Sequence, residues 1–299
     1  MRLTRVQRGL ALLSLCAGLV LAAAPLKGAE VSETEARLRR LEAEFDRSKQ
    51  REEIVMGREI YKAACMACHG INGDGQGTSA KRLDPAPRDF TKGLFKWRTT
   101  PYGALPTDSD LERVVREGVS GTEMFPFGEI LSKKSRMAVV QYIKTFSPLF
   151  ADPALQPTPE SILKIPETRP FERSEQTIAT GKALFESKGC FACHGVNGDG
   201  DGPAAANLVD AWGHPLRAWN FRHAFYKSGS TDQDLYRTIS TGLNGTPMVP
   251  YGAMTTIEER WQLVDYIRSI GASHDSILHY LFVDEPSGRV YDRNRSSSH

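Results

Sequence analysis

Two short runs, Cys65-Met66-Ala67-Cys68-His69 and Cys190-Phe191-Ala192-Cys193-His194, hold the side chains best suited to chemistry. A C-x-x-C-H run is the attachment signature of a c-type haem. Two thiols at that spacing each form a thioether to one vinyl group, and the His that follows is held under the iron as proximal ligand. The same Cys spacing occurs in thiol–disulfide pairs and as half of a zinc site. A redox pair does not need His directly after it, and zinc would need both pairs to converge. Cys65, Cys68, Cys190 and Cys193 are therefore read as attaching two haem c groups, with His69 and His194 as iron ligands.

An iron with a proximal His has one axial position left, and what fills it separates a carrier from a catalyst. Between residues 53 and 148 His69 is the sole histidine, and no cysteine is spare. Met66 lies inside the attachment run, while Met56 and Met137 fall on predicted helices. Met124 remains, in a loop that recurs around Met248 as Gly-Thr-x-Met-x-Pro-aromatic-Gly. Methionine is more often core filler than ligand. The repetition points to Met124 and Met248 as the sixth ligands, with His223 the substitute to test at the second haem. A thioether is a soft donor that favours Fe(II). With both axial positions filled there is no place for a substrate, so no catalytic residue is assigned.

The repeat extends well beyond these runs. Gly57 to Tyr61 precedes the first and Gly181 to Phe185 the second, and a Gly-x-Asn-Gly-Asp-Gly turn follows each His. Thr107–Leu111 matches Thr231–Leu235, and Arg136–Phe146 matches Arg260–Ile270. Helical spacing covers residues 53–64 and 177–189. A short helix is expected from near Asp110 or Asp234 to Gly118 or Gly242. The last helix of each copy carries Val139, Val140, Ile143 and Phe146, or Leu263, Val264, Ile267 and Ile270. No strand alternation is present. Copy one holds about seven extra residues around Trp97–Pro106. Six prolines between residues 148 and 170 make an extended, semi-rigid linker.

The first 29 residues read as a signal peptide or a membrane anchor. Arg2, Arg5 and Arg8 precede an apolar run from Gly9 to Ala24, followed by Pro25, which suits cleavage after Ala24 badly. Leu15 before Cys16 argues against lipidation. Export agrees with the attachment chemistry and places the protein in the periplasm, free or held at the inner membrane by an uncleaved segment. Lys plus Arg total 38 against 36 Asp plus Glu, a balance that gives no reason to expect nucleic acid. Residues 30–52 are charged, with Leu38, Leu41 and Phe45 at helical spacing and a capping box at Ser32 and Glu35. They read as a solvated helix rather than a docking helix.

A helix into C-x-x-C-H, a loop carrying Met and a closing helix resembles the class I cytochrome c family, over residues ~53–148 and ~177–273. The resemblance implies an all-α fold: two such domains in tandem (53–148 and 174–273), a linker (149–173) and a C-terminal tail (274–299). It implies that Gly57 and Tyr61 pack on Tyr142, and Gly181 and Phe185 on Tyr266. It assigns Met124 and Met248 as ligands as well. The expected function is single-electron transfer between periplasmic or membrane redox proteins, including a respiratory complex. The alternative is a dihaem peroxidase-type enzyme with one open haem.

Further side chains stand apart from this pattern. Asn197 to Gly202 resembles the start of a calcium loop, but Leu208 stands where that loop needs Glu, so it is read as a turn. Arg88, Trp97, Arg98, Arg217, Trp219 and Lys227 are placed equally well as haem-propionate partners or as ordinary scaffold. His214, His223, His274 and His279 have no counterparts in copy one and are read as surface or loop residues.

Overall fold

The computed structural model describes residues 28–223 and 225–272. The expected signal peptide or membrane anchor over 1–29, apart from its last two residues, and the tail over 274–299, with His274 and His279, lie outside the described residues. The described residues are helical, without a strand; Val209 and Pro215 form one isolated bridge. No described helix is long and apolar enough to cross a membrane.

The first helix, α1, spans Gly28–Ala64. Ser32 therefore lies inside it, and the capping box expected there does not begin a helix. The described residues up to Lys49 form a unit of their own. Leu38, Leu41 and Phe45 are exposed, as a charged solvated helix requires.

The unit from Gln50 onward holds both copies. Copy one contains the end of α1, the one-turn helix α2 (Met66–His69), α3 (Asp108–Glu117) and α4 (Lys133–Lys144). Copy two repeats the order with α5 (Glu175–Ser187), α6 (Phe191–His194), α7 (Asp232–Thr241) and α8 (Ile257–Ala272). The short helices start two residues before the expected Asp110 and Asp234, because Thr107 and Thr231 are the N-caps. Each Thr accepts from the amide of the Asp three residues on, whose carboxylate closes the capping box. Gly118 (φ 66°) and Gly242 (φ 63°) end these helices in the left-handed region.

Each domain rests on a crossing between its first and last helices. A Cβ at Gly57 would lie 1.9 Å from the Ala138 carbonyl oxygen, and one at Gly181 would lie 2.0 Å from that of Gln262. Glycine lets the two backbones touch. The aromatic residues then meet as expected: Tyr61 lies edge-on to Tyr142 and Phe185 edge-on to Tyr266, both with centroids 5.3 Å apart. Val139, Val140 and Ile143 bury one face of α4, and Leu263, Val264 and Ile267 bury that of α8. Burial of such side chains contributes about 1.5–3 kcal/mol each.

The composition of the proline-rich segment predicts extension; it instead opens with two 3-10 turns, Pro148–Ala151 and Pro153–Leu155, and is bound at both ends. Phe150 packs edge-on against Phe95 at 5.9 Å, and Ile165 and Phe171 pack on the second core. Arg169 and Arg173 both bond to Asp232 and to the fully buried Asp265. The segment is a strap rather than a free spacer.

Gly57→Ala and Gly181→Ala each force two backbones apart. Overpacking of this kind costs about 1–3 kcal/mol. Denaturant unfolding followed at the haem absorption should show each loss confined to the domain that carries the change.

Candidate haem-binding sites

The attachment runs form single helical turns whose amides are tied down at both ends. His69 N–H donates to the Cys65 carbonyl at 2.9 Å, and His194 N–H to that of Cys190 at 3.0 Å. The loop then folds back over the turn: Gly77 and Ser79 donate to Cys68 and Ala67, and Gly202 and Ala204 to Cys193 and Ala192. In copy one the buried Tyr61 hydroxyl donates to the Gly70 carbonyl at 2.7 Å, linking α1 to the turn. Cys and His thereby stand about one turn apart on one short element.

The imidazoles are oriented in the same way in both copies. His69 Nδ1 lies 3.0 Å from the Arg88 carbonyl oxygen, and His194 Nδ1 lies 3.1 Å from that of Trp219. A carbonyl only accepts, so Nδ1 carries the proton and Nε2 keeps its lone pair for a metal. Phe90 stacks on His69 at 4.6 Å and Phe221 on His194 at 4.5 Å. Burial lowers the affinity of both rings for a second proton.

Cys65 and Cys190 lack the lowered thiol of a redox pair. Burial, with a smaller contribution from Cys68, pushes the Cys65 thiol up to about 11, and burial raises Cys190 as well. Thiol–disulfide chemistry needs the opposite shift. Among the described residues no three or more His, Cys, Asp or Glu gather as a metal site, so the two pairs do not converge as zinc would require.

The two methionine loops share one frame. Val119 N–H donates to the Met124 carbonyl at 2.9 Å, and Leu243 N–H to the Met248 carbonyl at 3.0 Å. Thr122 and Thr246 each donate a hydroxyl three residues back at 2.8 Å and accept the Met amide at 3.2 Å. A Cβ at Gly118 would meet the Met124 carbonyl at 2.5 Å, and one at Gly242 that of Met248 at 2.7 Å. The left-handed glycine is what lets the loop close on the helix end.

Arginines that the sequence reading passed over hold the far end of each loop. Arg136 donates to the Gly128 carbonyl at 3.1 Å and Arg260 to that of Gly252 at 2.9 Å. Both stand twelve residues after the Met, and that shared register was the available signal. Their backing differs. Arg136 pairs with the buried Glu112 at 2.7 Å, whereas Arg260 lies over the Tyr236 ring, 5.0 Å from its centroid. One copy neutralises the guanidinium; the other covers it with an aromatic face.

The remaining candidates divide. Arg88 supplies the carbonyl for His69 while its guanidinium lies 4.4 Å from the Trp212 ring centre. Lys227 lies over Trp219 at 4.9 Å, and Trp97 lines a cavity of about 280 Å³ beside it. Arg98 is scaffold: its donors go to the carbonyls of Pro101, Lys96, Gly242 and Thr241. Arg217 and His214 are exposed, the latter 3.5 Å from Asp210. His223 sits between Trp219 and Phe225. Asp199 of the calcium-like turn pairs with Arg222.

Haem c fits these sites. The thiols and the oriented imidazole lie on one turn in each copy, and a cluster of half-buried cations matches haem's carboxylates. Lys96 is pushed down to about 7, chiefly by burial and then by Arg88 and Lys227, with Asp210 opposing. Propionates beside it would relieve that cost.

Comparisons with known proteins agree. Residues 178–271 match the Cytochrome c family, and residues 52–143 match Cytochrome C oxidase, cbb3-type, subunit III. The Cbb3-type cytochrome c oxidase subunit CcoP of Helicobacter pylori strain 52 is 27% identical over 172 residues, 56% of this chain and 46% of that protein. The same subunit from strain ATCC 700392 / 26695 is 26% identical over an equal span. The chain thus spans about half the length of these curated relatives. A solved chain of the Kuenenia stuttgartiensis reducing HAO-like protein complex is 38% identical, with a TM-score of 0.67. That match covers 72% of this chain and 95% of the other. The chain belongs to the c-type cytochromes, as a dihaem member built from two cytochrome c domains with two covalently bound haem c groups. Its function is haem-based electron transfer.

Glu112→Ala leaves the Arg136 guanidinium buried without its carboxylate. Breaking a buried pair from one side costs about 3–5 kcal/mol. The loss should appear as earlier unfolding of the first domain, read by denaturant titration.

Proposed function

We propose that this cytochrome passes single electrons between redox proteins in the periplasm, with His69 and Met124 on one iron and His194 and Met248 on the other. Haem supplies the one-electron Fe(III)/Fe(II) couple. The observation that carries the reading is the identical frame around the two methionines, down to the Thr hydroxyl that receives each Met amide. A loop closed on itself by Gly118 or Gly242 and anchored by Arg136 or Arg260 holds a thioether in one place through both oxidation states. The protein's contribution is then orientation and electrostatics.

Both groups of relatives are named as members of larger assemblies, a cbb3-type oxidase and a reducing HAO-like complex. This supports a chain that works docked to, or built into, a respiratory complex, with the leader over residues 1–29 exporting it or holding it at the membrane. A second reading is a peroxidase-type enzyme in which the first haem opens. It is favoured by the exposure of Phe125, 66%, and of Ser120 on the Met124 loop.

The absorption spectrum of the periplasm-matured protein separates the two. A Met–iron band at about 695 nm in the oxidised form, and no response of the reduced form to carbon monoxide, is the expected result. Carbon monoxide binding to one haem in the native protein would favour the enzyme. Met124→His and Met248→His should each lower one midpoint potential by on the order of 0.1 V, a fraction of the span that axial ligands command.

A further inference from the structure

The two domains share a fold but meet through an asymmetric interface. Between Lys96 and Thr107 copy one carries about seven residues that the matching stretch, Lys227 to Thr231, lacks. These extra residues do not pack on their own domain alone. Arg98 Nη2 donates to the Thr241 carbonyl at 2.9 Å and Nη1 to the Gly242 carbonyl at 3.3 Å. Gly103 N–H donates to Asn244 Oδ1 at 2.8 Å, and Asn244 Nδ2 donates to the Ala104 carbonyl at 3.1 Å. The Tyr102 hydroxyl donates to the Thr246 carbonyl at 3.1 Å. The acceptors and partners run from the C-terminal end of α7 to the Thr that receives the Met248 amide.

Burial differs at the start of the two loops, although Val119 is buried where Leu243 is half-buried. Asn244 is 1% exposed, while Ser120, its counterpart in the first loop, is exposed. Gly242 is buried and Gly118 only half-buried. The internal frames of the loops are alike, so the difference lies in what covers them.

We propose that the insertion of the first domain is a brace on the ligand loop of the second, with Arg98 and Asn244 as positioning residues for Met248. To leave its iron, Met248 must move a loop whose start is hydrogen-bonded to the other domain, whereas the Met124 loop faces the second domain through the charge of Glu123 near Lys227. Arg98 suits the position because its planar fork reaches two carbonyls of one helix end while its other donors stay on the Pro101 and Lys96 carbonyls. The C-terminal carbonyls of α7 also carry the negative end of the helix dipole. Met248 is thus a ligand whose loop both domains hold.

This inference rests on the His/Met reading, and the test separates the two. In a Met124→His background the band at about 695 nm reports Met248 alone. Imidazole is titrated against the oxidised protein with and without Arg98→Ala or Asn244→Ala. The worth of one of the two bonds to the charged group sets the expected change at about ten- to hundred-fold tighter imidazole binding at the second haem for Arg98→Ala. Asn244→Ala should act in the same direction by a smaller factor, and it keeps the test standing if the arginine variant does not fold. Imidazole affinity unchanged by a folded variant, with the band intact, overturns the brace. Absence of the band before any Arg98 or Asn244 change overturns the Met248 assignment itself.

Discussion

Each imidazole has one direction to face, because its Nδ1 is spent on a backbone carbonyl and its ring is stacked on a phenylalanine. That constraint orders the rest of each domain. The carbonyl belongs to a loop that must return over the attachment turn, and the turn must be held by the preceding helix. That helix crosses the closing helix where a glycine lets the backbones touch and an aromatic pair packs beside it. The methionine loop is suspended between the end of the short helix and an arginine at the start of the closing one. Burial works in the same direction, lowering the affinity of the imidazoles for a second proton and raising the Cys65 and Cys190 thiols.

The attachment turns and the methionine loops of the two copies are alike, while their supports differ. The arginine below each methionine loop is retained, but a carboxylate balances it in one domain and a tyrosine ring in the other. The interface is divergent too. The insertion of the first domain reaches the second Met loop, while Trp212 of the second domain donates its indole N–H to Asp89 at 2.8 Å, beside the carbonyl that orients His69. Each domain therefore contributes a residue next to the other's ligand frame. The linker closes the arrangement, with Arg169 and Arg173 gripping Asp232 and Asp265 of the second domain.

Much of this was legible in the chain, because the informative contacts are local or repeated. C-x-x-C-H is a spacing, and the capping Thr-x-x-Asp is four residues long. The Gly and aromatic pairs recur in both copies. What the sequence concealed depends on distant backbone. Arg98 could have met a propionate or a neighbouring helix end, since a carbonyl acceptor has no residue type to signal it. The strap-like linker was hidden for the same reason: a run of prolines implies extension, not what the arginines among them touch. The capping box at Ser32 misled because helical propensity on both sides of it outlasted the cap.

The central claim is that both irons carry a protein methionine opposite the histidine. Proton NMR of the fully reduced protein tests it most directly, because the haem ring current shifts a ligand methionine far upfield. The account predicts two such sets of resonances, one lost in Met124→His and the other in Met248→His. A single set in the native protein, or a set that survives both substitutions, would contradict it.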